Sequence, residues 1–575
     1  MTHTPTPAHF RFWPPHLSYT LHAPQTSLVD NLRVSAMRYP DKPAVVFFNH
    51  VMTYGELGQQ VEAMAAYLQS LGVVAGERVL LMMQNSPQWV VAHFAILRAN
   101  AVVVPVNPMN RAHELSHYIS DAQAKVAVVS ADLAGFMAQA DAGLPAAEQL
   151  QHVVVAHLGD VLDPSSEGFA QEVPQAWAAW LGTPVVPPVW VQAHNHTWAQ
   201  AVTCTAVPTA LRTGPADLAV LPYTSGTTGL PKGCMHTHAS IMHNAVASSY
   251  WGSSTADAVS LIVVPMFHIT GMVSGMHAAV FGGATMVVMP RWDRDLAGRM
   301  ISRWSLSHWT NIPTMIMDLL ASPNMSSYDL SSLKYIGGGG AAMPQAVAQR
   351  LFDEFGLRFA EGYGLTETAA PSHSNPPLAT KQQCLGVPFV GARSIVVDPE
   401  TLQPLPVGEA GEILINGPMV FQGYWRRPDA TAEAFVEIDG VRYFRSGDLG
   451  RMDEDGYYFM TDRLKRMINA SGFKVWPAEV EALMFKHPAV AEACVIGVPD
   501  AYRGETVKAL VVLRPGHDVT EQDMLQWCHD EMAVYKAPRI IEFVAELPKS
   551  GSGKVMWRAL QDEAKAAAVA AKPAA

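Results

Sequence analysis

The sequence predicts an α/β protein with a large N-terminal body of several subdomains, its mixed and parallel sheets flanked by helices, and a small α+β domain behind it. Three observations carry that prediction. The chain has 575 residues, more than one hydrophobic core ordinarily serves, so a large layered body with at least one smaller domain is expected. Apolar strand-like runs alternate with amphipathic helical runs, the pattern of parallel sheets covered by helices. After about residue 462 the texture changes to short strands and helices behind a charged mark, Asp462-Arg-Leu-Lys-Arg466.

The elements follow in chain order. Thr53 and Glu56 form a capping box that opens a helix. Its apolar positions Leu57, Val61, Met64, Ala65 and Leu68 keep the helical period, and Gly72 closes it. Arg78–Gln84 reads as a buried strand, Trp89–Leu97 as a helix, and Ala101–Pro105 as the next strand. Residues 160–215 are rich in Pro, Trp and Ala without a clear period and read as a surface excursion. Ile269–Pro290 is nearly uncharged, but His277 and the Gly282-Gly283 break divide it. A buried helix, a turn and a buried strand, Ala284–Met289, fit it better than a membrane span. Beyond residue 462, Val480–Phe485 reads as helix, and Ala493–Val498 and Ala509–Leu513 as strands. The Ala/Lys-rich tail Glu563–Ala575, with Pro573, is expected to fray.

Composition excludes several classes. Hydrophobic residues make up 49% and charged residues 16%, a compact globular balance rather than a disordered one. A net charge of −12 argues against nucleic acid as a partner, and no polybasic run offers a membrane-surface anchor. Cys204, Cys234, Cys384, Cys494 and Cys528 have no paired metal spacing. Reduced thiols in a cytoplasmic enzyme are their simplest account. The start, MTHTPTPAHFRFWPPHL, lacks a basic region followed by an apolar run, so no signal peptide is expected.

The chemistry-bearing stretch is Tyr223-Thr-Ser-Gly-Thr-Thr-Gly-Leu-Pro-Lys-Gly233. Gly226, Gly229 and Gly233 permit turns that present N–H groups to an anion. Thr224, Ser225, Thr227 and Thr228 add hydroxyl donors, and Lys232 adds a mobile positive charge. A Walker A loop would end Gly-Lys-Ser/Thr, whereas Lys232 lies between Pro231 and Gly233. Four further motifs follow in order. An apolar strand, Leu333–Ile336, leads into Gly337–Gly340, where Gly338 and Gly339 would let a flat ring lie on bare backbone. Tyr363-Gly-Leu-Thr-Glu-Thr368 groups an aromatic face, the hydroxyl of Thr366 and the carboxylate of Glu367. Ser446-Gly-Asp448 places a carboxylate where it can accept from a diol, and Pro548-Lys-Ser-Gly-Ser-Gly-Lys554 ends a loop in a lysine.

Together these motifs resemble the adenylate-forming superfamily of acyl-CoA synthetases, carrier-loading adenylation domains and luciferases, over roughly residues 30–560. Within it the chain is similar to the fatty-acyl-CoA synthetases through Pro265-Met-Phe-His268, Gly411-Glu-Ile-Leu-Ile-Asn-Gly417, Gly423-Tyr424, Arg427-Pro428 and Ser471-Gly-Phe-Lys-Val-Trp-Pro477. The resemblance implies an N-terminal domain over 1–461, a hinge at 462–463, a mobile lid over 464–562 and a disordered tail over 563–575. It also implies the reaction. ATP and a carboxylic acid give an acyl-adenylate and pyrophosphate, and coenzyme A then displaces AMP.

Residue roles come with the resemblance. Glu367 is the expected Mg²⁺ ligand, Thr366 a donor to the α-phosphate, and Lys554 the clamp on substrate carboxylate and α-phosphate. Tyr363 would pack on adenine, and Asp448 and Arg463 would hold the ribose hydroxyls. No general base is needed, because the acid is already ionised at pH 7. His268 reads either as a satisfied core histidine or as a residue bordering the acyl and thiol passage. Gly472 is similar to the small residue lining a pantetheine tunnel. Two departures are visible: Ser446 stands where threonine is common, and Trp557 replaces a basic residue.

Met266, Ile269, Met272, Met276, Trp309, Ile312, Met315 and Met317 occupy the expected acyl-pocket region, and each also reads as plain core. Methionine suits a long apolar chain. Cations for a second carboxylate are limited to Arg291 and Arg303, both read as surface. A medium- to long-chain fatty acid is therefore favoured, with an aryl acid as the close alternative. A stand-alone adenylation enzyme loading a carrier protein is weakened by the missing fused carrier domain. A nucleotide-binding protein that has lost catalysis fits poorly with Lys554, Glu367, Asp448 and Lys232 all being kept. The expected partners are the acid, ATP and coenzyme A, with no transmembrane segment and with a homodimer left open.

Overall fold

The computed structural model describes residues 7–224, 230–470, 473–500, 504–549 and 555–570. The chain divides into two compact units. The first comprises Met1–Ser394, Ile415–Phe444 and Asp455–Tyr457, and the second Ile395–Leu414, Arg445–Glu454 and Tyr458–Ala575.

Two large sheets organise the first unit. In the seven-stranded one, Arg78–Met82 lies between Val102–Pro105 and Val126–Ser130, with parallel pairing on both sides. These strands are buried along almost their whole length, as continuous Val/Leu runs in a doubly covered parallel sheet should be. The nine-stranded sheet runs parallel from Phe359–Leu365 through Tyr335–Gly339, His308–Asn311, Val259–Ile262 and Thr285–Val288 to Pro43–Phe47. Antiparallel strands finish it at both edges.

The expected helices fill the layers. Thr53 and Glu56 make the reciprocal capping box, and Leu57, Val61, Met64, Ala65 and Leu68 turn their side chains into the core. Gly72 ends that segment at φ +91°, a conformation that costs other residues strain. The helix Pro87–Arg98 is buried on every face, so it lies within the body rather than on it. Ile269–Pro290 folds as expected: a π-helical turn Gly271–His277, a short helix Ala278–Gly282, Gly283 at φ +70°, and the strand Thr285–Val288. No helix among the described residues is long and apolar enough to cross a membrane.

Two expectations need correction. Residues 160–215 are not a plain surface excursion: they contain helices Glu167–Glu172 and Gln175–Gly182, and the strand His194–Thr197 closes one edge of the seven-stranded sheet. That strand is polar and mostly exposed, so it carries no apolar alternation to betray it. The tail expected to be disordered from residue 563 is helical through Ala570, as part of Trp557–Ala570. Alanine is the best helix former, and Trp557, Leu560 and Ala564 pack on Cys494, Ile496, Val498 and Leu510.

The second unit holds a five-stranded sheet in which Gly504–Leu513 pairs antiparallel with Val490–Asp500 and parallel with Ile540–Phe543. Helices Pro477–Met484 and Glu521–Glu531 cover one face through Val480, Met484, Met524 and Cys528.

Candidate active site

The base of the phosphate-type loop is a short antiparallel pair in which Lys232 lies opposite Thr224 and Gly233 opposite Tyr223. Ser225, Gly226, Thr227, Thr228 and Gly229 lie outside the described residues. Lys232 projects its ammonium over the ring of Tyr424 at 4.9 Å, a contact that holds a cation without neutralising it.

Glu367 sits beside this lysine's aromatic support. The strand Phe359–Leu365 runs into a single 3-10 turn, Thr366–Thr368. Ala369 and Ala370 follow at φ +50° and +77°, a left-handed pair that surrounding contacts must enforce. Asn244 supplies them, donating from Nδ2 to the carbonyls of Thr368, Ala369 and Pro371 at 3.1, 2.9 and 3.0 Å. His236 donates through Nε2 to the Thr366 carbonyl at 2.7 Å. Burial pushes the His236 pKa down to about 4, so it serves as a neutral donor.

The result is a buried Glu367 whose Oε1 accepts the Tyr424 hydroxyl at 2.8 Å. Burial and the neighbouring Glu367 raise the Tyr424 pKa, keeping the phenol protonated as the donor. The same two causes raise the Cys234 thiol well above its ordinary value. Cys234 is thus a neutral wall residue.

The glycine run is a strand end rather than a loop, since Tyr335–Gly339 pairs with strands on both sides. A Cβ on Gly338 would lie 1.8 Å from the Asn311 carbonyl oxygen, and one on Gly339 2.1 Å from that of Gly362. Close packing of the flanking strands therefore already demands bare backbone here. Tyr363 is buried on the adjoining strand, opposite His373.

Around the acyl-pocket positions, Met266, Ile269, Met272, Met276, Trp309 and Met315 all lie in the main buried core, with Ile312 packed against it and Met317 half-buried. His268 departs from its core reading: it is exposed, and its Nδ1 accepts from Thr270 N–H at 3.3 Å. Arg291 and Arg303 are exposed, as expected, with Arg303 paired to Glu172.

In the second unit, Asp448 and Arg463 stand directly opposite each other on antiparallel strands. Arg463 Nε lies 3.1 Å from Asp448 Oδ1, and the aspartate is 2% exposed. Ser446 Oγ accepts from Asp448 N–H at 3.1 Å and donates to the Ile413 carbonyl at 2.6 Å. Asp462 is buried and accepts from the N–H groups of Arg463 and Ala478, each at 2.6 Å. Ala478 belongs to the first turn of the helix Pro477–Met484, whose own N-cap, Trp476, offers no side-chain cap. Burial raises the Asp462 pKa against the pull of these hydrogen bonds. Gly472 and Lys554 lie outside the described residues.

Sequence reasoning missed Asn244, His236 and Glu361. Glu361, opposite Gly338 in the sheet, accepts from Gln383 N–H at 3.0 Å, and burial raises its pKa to about 7. Asn244 shares its helix with His238, Ser240, His243 and Ser249, all buried, so no pattern singled it out. Glu361 and His236 sit within or beside motifs and gave no signal of their own.

Comparison with known proteins gives the chain's family. The AMP-binding enzyme family pattern matches residues 32–425, and the AMP-binding enzyme C-terminal domain pattern matches residues 479–554. The long-chain-fatty-acid–CoA ligase of Bacillus subtilis (strain 168) is 33% identical over 557 residues, 96% of this chain and 97% of that protein. The feruloyl-CoA synthase of Amycolatopsis sp is 33% identical over 520 residues, 90% of this chain and 95% of its own length. Among solved structures, the anthranilate CoA ligase AuaEII in complex with anthranoyl-AMP superposes with a TM-score of 0.78 at 27% identity, covering 95% of this chain and 98% of that one.

Proposed function

This chain belongs to the AMP-binding enzyme family, and we propose from that premise that it is an ATP-dependent acyl-CoA ligase for medium- to long-chain fatty acids. The observation that carries the reading is the buried Glu367 held by Tyr424, with Lys232 over the same ring, in a chain that aligns along nearly its whole length with a long-chain-fatty-acid–CoA ligase.

In the first step a carboxylate oxygen attacks the α-phosphorus, a new C–O–P linkage forms, and pyrophosphate leaves. Two anions must meet, so charge neutralisation dominates the barrier. Lys232 and the hydroxyls of Thr224, Ser225, Thr227 and Thr228, with the turns at Gly226 and Gly229, would hold the phosphates. Thr366 would donate to the α-phosphate, and Lys554 would bind the carboxylate as it approaches. Adenine would rest at Gly338, Gly339 and Tyr363, and the ribose at Asp448 and Arg463. In the second step the thiol sulfur of coenzyme A bonds to the acyl carbon, the acyl–oxygen bond breaks, AMP leaves, and the thiol proton passes to solvent. Gly472 would leave room for the pantetheine arm, and His268 would border the passage.

The residues present fit Mg²⁺. One buried carboxylate, Glu367, suits an ion that takes few protein carboxylates and completes its shell with phosphates and water. Glu367 would be its protein ligand, and the ion would supply charge neutralisation at the phosphate oxygens.

The methionine-rich core around Met266, Met272, Met276 and Met315 favours an aliphatic chain. The feruloyl-CoA synthase relative favours an aryl acid as the second reading. Pyrophosphate release with octanoate, palmitate, benzoate and cinnamate, each with and without coenzyme A, separates them. Palmitate or octanoate as the best substrate supports the proposal, and benzoate or cinnamate replaces it with the aryl reading. Acyl-AMP formation with no coenzyme A transfer points to carrier loading. The proposed setting is the cytoplasm, in keeping with five free cysteines.

A further inference from the structure

Both ends of the phosphate-type loop are tied to one face of a helix that the chemistry above does not use. The helix Ala112–Ala122 carries His117, Tyr118 and Asp121, and Asp121 neighbours His117 at i,i+4 and Tyr118 at i,i+3 on its surface. Asp121 is 7% exposed. Its Oδ2 accepts the Tyr223 hydroxyl at 2.8 Å, and its Oδ1 accepts from Arg427 Nη2 at 2.7 Å. The Tyr118 ring packs on Tyr223 with centroids 4.5 Å apart. At the other end, His117 donates through Nε2 to the Pro231 carbonyl at 2.8 Å. Tyr223 opens the strand Tyr223–Thr224, and Pro231 immediately precedes Lys232–Gly233. The Asp121 carbonyl also accepts from Trp425 Nε1 at 3.1 Å, fixing the chain beside Tyr424.

We propose that His117 and Asp121 are positioning residues for adenylation, setting the loop base and the Tyr424 segment and thereby the aim of Lys232. A buried carboxylate shared between a phenol and a guanidinium is a poor source of net stability, because desolvation offsets the attraction. It is a good source of fixed geometry, since each partner has one place to sit. The four hydrogen bonds join segments far apart in sequence, residues 117–121, 223–231 and 425–427, and all converge on the lysine-bearing strand and its aromatic support. The inference rests on the functional reading above, because it concerns ATP use.

The test compares His117→Ala, His117→Gln and Asp121→Asn in the full-length protein. The readouts are calorimetric ATP affinity, KM for ATP and for the acid in ATP–pyrophosphate exchange, thioester formation from supplied acyl-adenylate, and melting temperature. His117→Ala should weaken ATP binding and raise KM for ATP about three- to tenfold, the worth of one hydrogen bond. KM for the acid and the thioester step should stay within twofold of wild type, and His117→Gln, which can still donate, should recover at least half of the loss. Asp121→Asn should show the same selective pattern, larger. Unchanged ATP affinity and KM in both variants, or a loss shared equally by both half-reactions, overturns the proposal. If Asp121→Asn does not fold, the His117 pair decides alone. A wild-type protein inactive with every acid would sink the functional reading instead, and the calorimetric ATP affinities would still judge the positioning role.

Discussion

Tyr424 donates its hydroxyl hydrogen to Glu367 Oε1 across 2.8 Å, and the same ring carries the Lys232 ammonium on its face at 4.9 Å. One tyrosine thus holds both the carboxylate proposed for the metal and the cation proposed for the phosphates. Tyr424→Phe keeps the ring and deletes the donor, so Lys232 should stay in place while Glu367 loses this hydrogen bond. A hydrogen bond to a charged group is worth about 1.5–3 kcal/mol, so adenylation should fall roughly tenfold to a hundredfold. The Mg²⁺ concentration for half-maximal pyrophosphate exchange should rise in Tyr424→Phe and further in Glu367→Gln. An unchanged Mg²⁺ requirement in both would remove Glu367 as the metal contact.

Gly338 and Gly340 make a controlled pair for the glycine run. A Cβ at Gly338 would overlap the Asn311 carbonyl oxygen at 1.8 Å, while at Gly340 its nearest neighbour is Ile312 Cγ2 at 3.9 Å. Gly340 has φ +92°, so Gly340→Ala should cost about 1 kcal/mol of backbone strain and still fold. Gly338→Ala must move a strand, and should cost more than about 3 kcal/mol or fail to accumulate. Urea denaturation of the two purified variants checks this. Equal stability would show that the strands can part at Gly338.

The buried pair His93 and His277 should make the protein acid-labile. Their Nε2 atoms are 2.9 Å apart, and among the described residues neither Nδ1 has a hydrogen-bond partner. Burial drives the His277 pKa to about 3, and burial with the facing His277 and His238 drives His93 well below its ordinary value. The unfolded state therefore binds more protons once pH drops below about 6.5, so stability rises with pH there. This contribution is complete above pH 6.5 and is lost as pH falls toward the folded value of about 3. Each histidine should add ~1.4 kcal/mol per pH unit to the slope. Urea midpoints at pH 7.5, 6.0 and 5.0 should fall steadily in the wild type and less steeply in His277→Gln. Parallel slopes would mean the pair does not titrate on unfolding.

Much of the fold was legible because its signals are local. The Thr53–Glu56 box and the five apolar positions after it lie within one helix, and the apolar run Val79–Met82 has only one comfortable place, inside a parallel sheet. The strand His194–Thr197 was not legible, because an exposed polar edge strand is chosen by its neighbour His152–Ala156 rather than by its own pattern. For His268 the sequence left both readings open, core or passage border, because its flanks Met266 and Ile269 are buried while it turns outward. In the site, residue types were readable from motifs, but partnerships were not. Glu367 with Tyr424, and Asp121 with Tyr223 and Arg427, join residues distant in sequence, and only the packed fold brings them together.

Asp462→Pro compared with Asp462→Ala should tell a pivot from a cap. The Asp462 carboxylate accepts from the N–H groups of Arg463 and Ala478, each at 2.6 Å, and so caps the helix Pro477–Met484. Both substitutions remove that cap, a loss of about 1 kcal/mol, and proline also enters the strand Tyr458–Arg463 opposite Leu449, so it should lower the melting temperature further than alanine does. Proline alone also fixes φ near −65° and deletes the N–H. If residue 462 must change backbone angles between adenylation and thioester formation, as the resemblance to the adenylate-forming enzymes implies, the proline variant should keep one half-reaction and lose the other by about a hundredfold or more. The alanine variant should keep both, slowed alike. ATP–pyrophosphate exchange measures the first step and acyl-CoA formation from supplied acyl-adenylate the second, with circular dichroism confirming that each variant folds. Two variants with matching profiles would assign Asp462 to helix capping alone and place any pivot elsewhere in the chain.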